Sequence, residues 1–268
     1  MLPIFETFFS HMPTALLVIF RMGGLLIFAP ILGSSVIPAR MKVALSFGFG
    51  LAAYPALLAS GAVEPGLPLA LWSLLPLIAL EIALGATIGF IASMPLLAMQ
   101  VGGLMMGQQM GLGFARFYNP AVEDEADILA QLLLFLTLMA FFAVGGHEGL
   151  FLAVLHSFEH VPLGGFTPDL GLVDLICGLF VAAFETAMRV AAPLLTIIML
   201  ETVALGFVAR SVPQLNILSL GFPLRILVGF IVVMLGLMVI HDVITDDIAA
   251  TFDAIFDWLQ AQGDGHGR

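Results

Sequence analysis

Residues 68–92 indicate the fold of this chain, and they read PLALWSLLPLIALEIALGATIGFIA. This stretch is apolar over more than the roughly 20 residues that a helix needs to cross a bilayer, and its one charged side chain is Glu81. Comparable stretches occur at about residues 12–30, 43–60, 128–158, 172–200 and 217–240. Together they predict an all-α membrane protein with about six long apolar helices, some of them broken.

The composition of the whole chain supports the same class. Of its 268 residues, 61% are hydrophobic and only 10% are charged, against about 25% charged in an ordinary soluble domain. A soluble domain of this size has no means of burying so much apolar surface. An outer-membrane barrel would show short alternating segments rather than long apolar runs. We therefore exclude a soluble protein, a disordered chain and a barrel.

The charges argue against nucleic acids and nucleotides as ligands. The net charge is -11 and the only lysine is Lys42, whereas nucleic-acid binding needs clustered lysine and arginine. The letters DEAD at residues 124–127 resemble a helicase signature. No glycine-rich phosphate loop accompanies them, so we interpret this run as a solvated acidic turn.

The histidines do not form an enzyme motif in the sequence. His147-Glu148 begins a zinc-protease pattern, but Phe151 stands where the second histidine belongs. His156 and His160 are four apart and would share one helix face, but no third ligand is evident, so we favour an interfacial, hydrogen-bonded role. We predict no catalytic residue, no metal and no cofactor, and hence a protein that is not an enzyme.

Six charged residues lie within the apolar stretches, where charges are expensive and point to function. They are Arg21, Glu81, Glu185, Arg189, Glu201 and Arg225. Glu185 and Arg189 are four apart, with the acid first, which favours a local ion pair. The others must pair across helices, pair across subunits or face water. We expect Glu81 and Arg225 to be paired inside an assembly.

A glycine- and methionine-rich patch, GGLMMGQQMGLGF, occupies residues 102–114. Gly103, Gly107 and Gly111 recur every four residues, a spacing that lets membrane helices approach closely. So many glycines also fit an irregular loop, and methionines suit a deformable constriction that lines a path. The candidate constriction residues are Met105, Met106, Gly107, Gln108, Gln109, Met110, Gly111, Leu112, Gly113 and Phe114.

Breaks and linkers can be placed from glycine and proline. Gly145-Gly146 is expected to break the stretch 128–158, and Pro95 to end a helix and open a linker over residues 93–127. The stretches 68–92 and 172–200 could each form two shorter helices. Further linkers are expected at residues 31–42 and 206–216.

The tail 242–260 has the pattern of an amphipathic helix. Its apolar face consists of Ile244, Ile248, Phe252, Ile255 and Leu259, with aspartates elsewhere. Because its polar face is acidic, we expect this tail to bind a protein partner rather than anionic lipid.

An ordered set of short motifs resembles the FliR family of flagellar type III export-gate proteins, called SctT in injectisomes. The set includes Phe20-Arg21, Pro38, Arg40, Glu81, Gly85, Gly89, Tyr118-Asn119-Pro120, His147, and Arg210 with Pro213, Gln214 and Asn216. The resemblance covers roughly residues 5–245, and its most specific part is the pattern Pro213-Gln214-x-Asn216.

This resemblance implies a bacterial inner-membrane protein of the flagellar basal body. It implies one copy of the chain beside several copies of FliP and FliQ, with FlhB at the base of the gate and FlhA as a further partner. Residues 1–165 would be FliP-like, residues 166–240 a FliQ-like hairpin, and residues 241–268 an acidic tail. Unfolded substrates would pass through the centre, and the segment Met105 to Phe114 would plug the closed pore.

Two alternatives remain at this point. A virulence injectisome gate of the same family has the same motifs. A proton-coupled secondary transporter would use the buried charges as a relay, and it predicts an active monomer.

Overall fold

The computed structural model describes residues 2–66, 71–112, 128–211 and 217–266. These ranges contain helices and no strand, which confirms the all-α prediction. The helices are α1 (Leu2–Phe28), α2 (Ala39–Ser60), α3 (Leu71–Met110), α4 (Ile128–Ala143), α5 (Gly146–His160), α6 (Leu170–Ser211) and α7 (Ile217–His266). Five of them are long and apolar enough to cross a membrane, or six spans if α4 and α5 count as one broken span.

The break between α4 and α5 lies where the paired glycines predicted it. The two helix axes meet at 65°, and Gly145 has a φ of 76°. A side chain at that left-handed position would be strained, whereas glycine adopts it freely. The predicted interruption at Gly145-Gly146 is therefore confirmed.

The predicted break at Pro95 is wrong, and the alternative of two shorter helices in the third and fifth apolar stretches does not hold, because α3 and α6 are each continuous. Helix α3 passes through Pro95 and ends only at Met110, and α6 passes through Pro193 to Ser211. A proline inside a helix removes one backbone hydrogen bond, but neighbouring helices and local adjustments compensate for this in membrane proteins. Residues 93–110 and 206–211 thus belong to helices rather than linkers.

Three helices are much longer than a bilayer is thick. Helices α3, α6 and α7 contain 40, 42 and 50 residues. At about 1.5 Å per residue, each is at least about 60 Å long, whereas the hydrocarbon core of a bilayer measures about 30 Å. A substantial part of each helix must therefore lie outside the hydrocarbon.

The chain divides into two compact units. The first unit comprises Met1–Met94, Gly145–Cys177 and Ile248–Arg268, and the second comprises Pro95–Val144 and Gly178–Asp247. The division falls inside α3 at Pro95, the residue that fails to end the helix. Neither unit is a continuous segment, so the FliP-like and FliQ-like division near residue 165 stays a prediction.

In the first unit, α1 packs along α2 and also touches α5. The end of α2 is closed by Gly61, whose φ is 76°. Its N–H donates to the carbonyl of Leu58, and the N–H of Ala62 donates to Leu57. This is the glycine-terminated pattern that satisfies the last carbonyls of a helix.

The predicted amphipathic tail is confirmed as a helix, but it packs on its own chain. It is the continuation of α7, and Ile255 and Leu259 are fully buried in the first unit. The ring of Trp258 meets that of Phe166 edge to face, with centroids 6.2 Å apart. The apolar face is therefore covered within the chain, which corrects the expectation of a separate protein partner.

Candidate functional site

The core of the first unit contains a buried ion pair between α1 and α3. Arg21 and Glu81 both have no exposed surface. The Arg21 Nε lies 2.5 Å from Glu81 Oε2, and its Nη2 lies 3.2 Å from Oε1. The guanidinium thus holds the carboxylate through two nitrogens, the geometry for which arginine is suited.

The remaining donors and acceptors of this pair are satisfied by α5 and the turn after it. Arg21 Nη1 donates to Ser157 Oγ at 3.1 Å, and Nη2 donates to the carbonyl of Val161 at 3.1 Å. The backbone N–H of Gly164 donates to Glu81 Oε1 at 2.7 Å. A buried ion pair is tolerable only when its other hydrogen bonds are made, and α5 and this turn together provide them.

The ring of Phe158 completes the enclosure of the guanidinium. The Arg21 Cζ lies 4.0 Å from the centroid of this ring. A cation over an aromatic face is attracted by the ring quadrupole, more strongly when water is excluded. One side chain of α1 therefore connects α3, α5 and the turn at Val161–Gly164.

Glycines bring α1 and α3 close enough for this pairing. A Cβ added to Gly85 would overlap the carbonyl oxygen of Arg21, and one added to Gly89 would lie 2.6 Å from the carbonyl oxygen of Leu25. The two glycines are four apart, so they form one flat strip along α3. Backbone meets backbone along that strip, which leaves no space for side chains.

Of the three alternatives left open for Arg21 and Glu81, the structure has the two residues paired with each other across helices. The partner of Glu81 is Arg21 of the same chain. Glu81 therefore does not pair with Arg225, and its ion pair requires no second subunit. Sixty positions separate the two residues, so no local spacing in the sequence predicted this pairing.

Glu201 and Arg225 lie in the second unit, on α6 and α7. Arg225 Nη2 donates to Thr202 Oγ1 at 2.9 Å, and Arg225 attracts Glu201 electrostatically. Neither carboxylate oxygen of Glu201 has a hydrogen-bond partner among the described residues, nor has the Nε of Arg225. In contrast to Arg21 and Glu81, these two groups are incompletely satisfied by the residues that the structure describes.

Glu185 and Arg189 form the predicted local pair on α6. Arg189 Nη2 lies 3.5 Å from Glu185 Oε1, and both side chains are about two-thirds exposed. A pair this exposed contributes little to stability. Nearby, Thr186 Oγ1 donates to Asp247 Oδ1 at 3.1 Å and so connects α6 to α7.

The first part of the glycine-methionine patch is helical. Gly102 and Gly103 face neighbouring helices closely, since added Cβ atoms would lie 3.1 Å from Ala187 O and 2.6 Å from Ala130 Cα. The helix-packing interpretation therefore holds for these glycines, and the loop interpretation fails up to Met110. Gly111 follows with a φ of 80°.

The methionines of the patch differ in exposure. Met106 and Met110 are almost completely buried, while Gln108 and Gln109 are exposed. A Cβ added to Gly229 of α7 would lie 2.5 Å from the sulfur of Met110. Met110 thus fills the space that a glycine leaves on the facing helix.

Several predicted site residues lie outside the described residues. They are Gly113 and Phe114 of the patch, and Pro213, Gln214 and Asn216 of the motif after α6. Arg210 lies in the last turn of α6 and is exposed.

The sequence prediction missed Glu159, which lies between His156 and His160. His156 Nδ1 is 2.9 Å from Glu159 Oε2. The spacing H-x-x-E-H was the signal that would have found it.

These features define a helical membrane protein with several spans and a fully paired ion pair in its core. The family described as "Bacterial export proteins, family 1" matches residues 12–251, and the chain belongs to this family. The resemblance drawn from the motifs is thereby confirmed.

Individual relatives extend over most of the chain. Flagellar biosynthetic protein FliR of Bacillus subtilis strain 168 is 28% identical over 255 residues, which are 94% of this chain and 96% of the relative. The protein of the same name from Escherichia coli K12 is 32% identical over 209 residues, 78% of each chain. Yop proteins translocation protein T of Yersinia pestis is 30% identical over 174 residues, 64% of this chain and 65% of the relative.

Proposed function

We propose that this chain is a component of the flagellar type III protein export gate in the bacterial inner membrane. The observation that carries the proposal is its similarity to flagellar FliR proteins over nearly the whole length of both chains. Membership in a bacterial export family and several membrane-spanning helices agree with this role.

The surface of the second unit supports a place within an assembly. Helices α6 and α7 expose large apolar side chains, among them Met199, Leu200, Phe207, Leu235 and Met238, each at least 65% exposed. Glu201 adjoins this surface with its carboxylate unsatisfied. Lipid would cover the apolar side chains but offers no partner to a carboxylate, whereas a neighbouring subunit can do both.

The partners in this proposal are homologues of FliP and FliQ, with FlhB and FlhA at the cytoplasmic side. Residues 1–165 would take the FliP-like role and residues 166–240 the FliQ-like role. The lengths of α3, α6 and α7 support an assembly that rises out of the bilayer, because each helix is about twice as long as the hydrocarbon is thick. Apolar surface outside lipid needs protein to cover it.

The segment Met105 to Phe114 would form the constriction that closes the channel before unfolded flagellar substrates pass. Support comes from Met106 and Met110, which are buried, unbranched side chains at the end of α3. Methionine adapts to irregular gaps and repacks easily. A seal made of such contacts can yield to a passing chain without the loss of strong bonds.

The proposed role is mechanical, and no enzymatic activity is part of it. The transporter alternative needs a carboxyl group that exchanges protons with water. Glu81 does not meet that need, since it is completely buried and accepts hydrogen bonds from Arg21 and Gly164.

Deletion of the gene in its own host, followed by complementation, tests the proposal. We expect loss of swimming and of flagellar proteins from the culture supernatant, with both restored by the wild-type gene. An affinity-tagged chain should co-purify with FliP and FliQ homologues. Unchanged motility after deletion, or a chain that purifies alone as an active monomer, would contradict the proposal.

An injectisome gate is the second candidate, because the Yersinia translocation protein is also a relative. It would predict the opposite outcome of the deletion. Motility would persist, while secretion of effector proteins into host cells would stop.

A further inference from the structure

The last turn of α5 carries three side chains of the kind that bind metal ions. The donor atoms of His156, Glu159 and His160 all lie within 4.8 Å of one another. In the part of the chain that the structure describes, it is the one group of three such residues this close together. All three belong to the first unit, and the proposed gate function does not use them.

Hydrogen bonding already orients His160 for coordination. Its Nδ1 lies 3.2 Å from the carbonyl oxygen of His156. A carbonyl only accepts, so this hydrogen bond requires the proton on Nδ1 and leaves the lone pair on Nε2 free. Metal-binding histidines commonly donate their second ring nitrogen to a carbonyl in this way.

The spacing between His156 and Glu159 also suits a metal ion. His156 Nδ1 and Glu159 Oε2 are 2.9 Å apart. Two donors on a tetrahedral zinc ion lie roughly 3.3 Å apart, because each metal–donor bond is about 2.0–2.1 Å long. An ion can therefore replace this hydrogen bond with only a small movement of either side chain.

The neighbouring part of α7 holds one ring in place and supplies negative charge. Phe256 meets the ring of His156 edge to face, with centroids 5.8 Å apart. On either side of Phe256, Asp253 and Asp257 are exposed, and acidic side chains raise the local concentration of cations. His156 and Glu159 are 37% and 56% exposed, so water can reach the site and complete the coordination.

We propose that His156, Glu159 and His160 bind one divalent transition-metal ion, for which Zn²⁺ is the best fit. Two histidines one helical turn apart with an acidic residue form a donor set that zinc prefers. A bound ion would tie together the last turn of α5. That turn leads directly into Val161 and Gly164, whose backbone groups bind Arg21 and Glu81, so the ion would also stabilise the position of these contacts.

The test uses the full chain, purified in detergent with a tag that contains no histidine and freed of metal with a chelator. Titration with ZnCl₂ by calorimetry should give saturable binding of one ion per chain. The variants His156→Ala, His160→Ala and Glu159→Gln should each bind at least about tenfold more weakly, since even changes outside the ligands cost 10–100-fold. His241→Ala is the matched control, because His241 is exposed on α7, and it should bind like wild type.

Thermal unfolding gives a second measurement. Because a ligand that binds only the folded state stabilises it, Zn²⁺ should raise the Tm of the wild-type chain and not that of His160→Ala. Absence of saturable binding overturns the proposal, as does equal weakening in His241→Ala. If an alanine variant does not fold, electron paramagnetic resonance of Cu²⁺ bound to the wild-type chain tests the site instead. We expect the spectrum to show two nitrogen ligands on the copper ion. Fewer than two nitrogen ligands would contradict the proposal.

Discussion

Arg21 on α1 and Glu81 on α3 form a two-point ion pair from which water is completely excluded. Among the described residues, the further hydrogen bonds of the two side chains come from α5 and from the turn at Val161–Gly164. Three helices that are far apart in the sequence therefore share one polar centre. Its position is defined by direction-dependent hydrogen bonds, whereas the surrounding apolar contacts are non-directional.

Loss of one partner of this pair should be much more damaging than loss of both. Glu81→Leu leaves a buried, unpaired guanidinium, and we expect a loss of about 3–5 kcal/mol in the free energy of unfolding. The double variant Arg21→Met/Glu81→Leu should recover part of this loss. Thermal unfolding in detergent measures both, and the exposed pair Glu185–Arg189 is the control, with an expected coupling below about 1 kcal/mol. If the coupling free energy between the two side chains were equal in the buried and the exposed pair, burial would not determine the strength of the ion pair.

Alanine at two glycines should have effects of opposite sign. Gly89→Ala places a Cβ 2.6 Å from the carbonyl oxygen of Leu25, so α1 and α3 must separate and the chain should be destabilised. Gly48→Ala on α2 meets no atom within 4 Å. Because alanine is the better helix former, that variant should be more stable by about 0.5–1 kcal/mol. Melting temperatures of the two variants test this, and a stabilised Gly89→Ala would contradict the close helix contact.

Met110→Ala should loosen the proposed constriction. The side chain of Met110 is fully buried and fills the space over Gly229, so its removal leaves a cavity at a cost of about 2–5 kcal/mol. We expect increased ion leakage through the assembled gate, measured as loss of membrane potential in cells. Leu104→Ala is the control, since Leu104 on the same helix is 40% exposed. Equal leakage in both variants would argue against a seal at Met110.

Glu201→Gln should weaken assembly more than it weakens the fold of the chain. The Glu201 carboxylate has no hydrogen-bond partner among the described residues, so its neutralisation costs the isolated chain little. In the proposed gate, a neighbouring subunit supplies the missing partner, and recovery of FliP and FliQ homologues with the tagged chain should fall. Glu185→Gln, an exposed change on the same helix, should leave recovery unchanged. Normal recovery with Glu201→Gln would place the partner elsewhere.

Local features were predictable where one or two residues decide the backbone. The paired glycines predicted the bend between α4 and α5, and the spacing of Glu185 and Arg189 predicted their contact on one helix. Pro95 shows the limit of such reasoning, since α3 continues through it. The cost of one lost hydrogen bond is local, whereas the packing that offsets it involves residues from other helices.

The amino-acid sequence by itself determined the class of protein, the family and the number of spans. The length of each apolar stretch and the order of the motifs can be taken directly from the sequence, without knowing which helices pack together. The tertiary structure alone decided that Arg21 meets Glu81, and it decided that the tail covers α5 of its own chain. These outcomes depend on which helix faces pack together, and a residue sixty positions away contributes as much to that packing as an immediate neighbour.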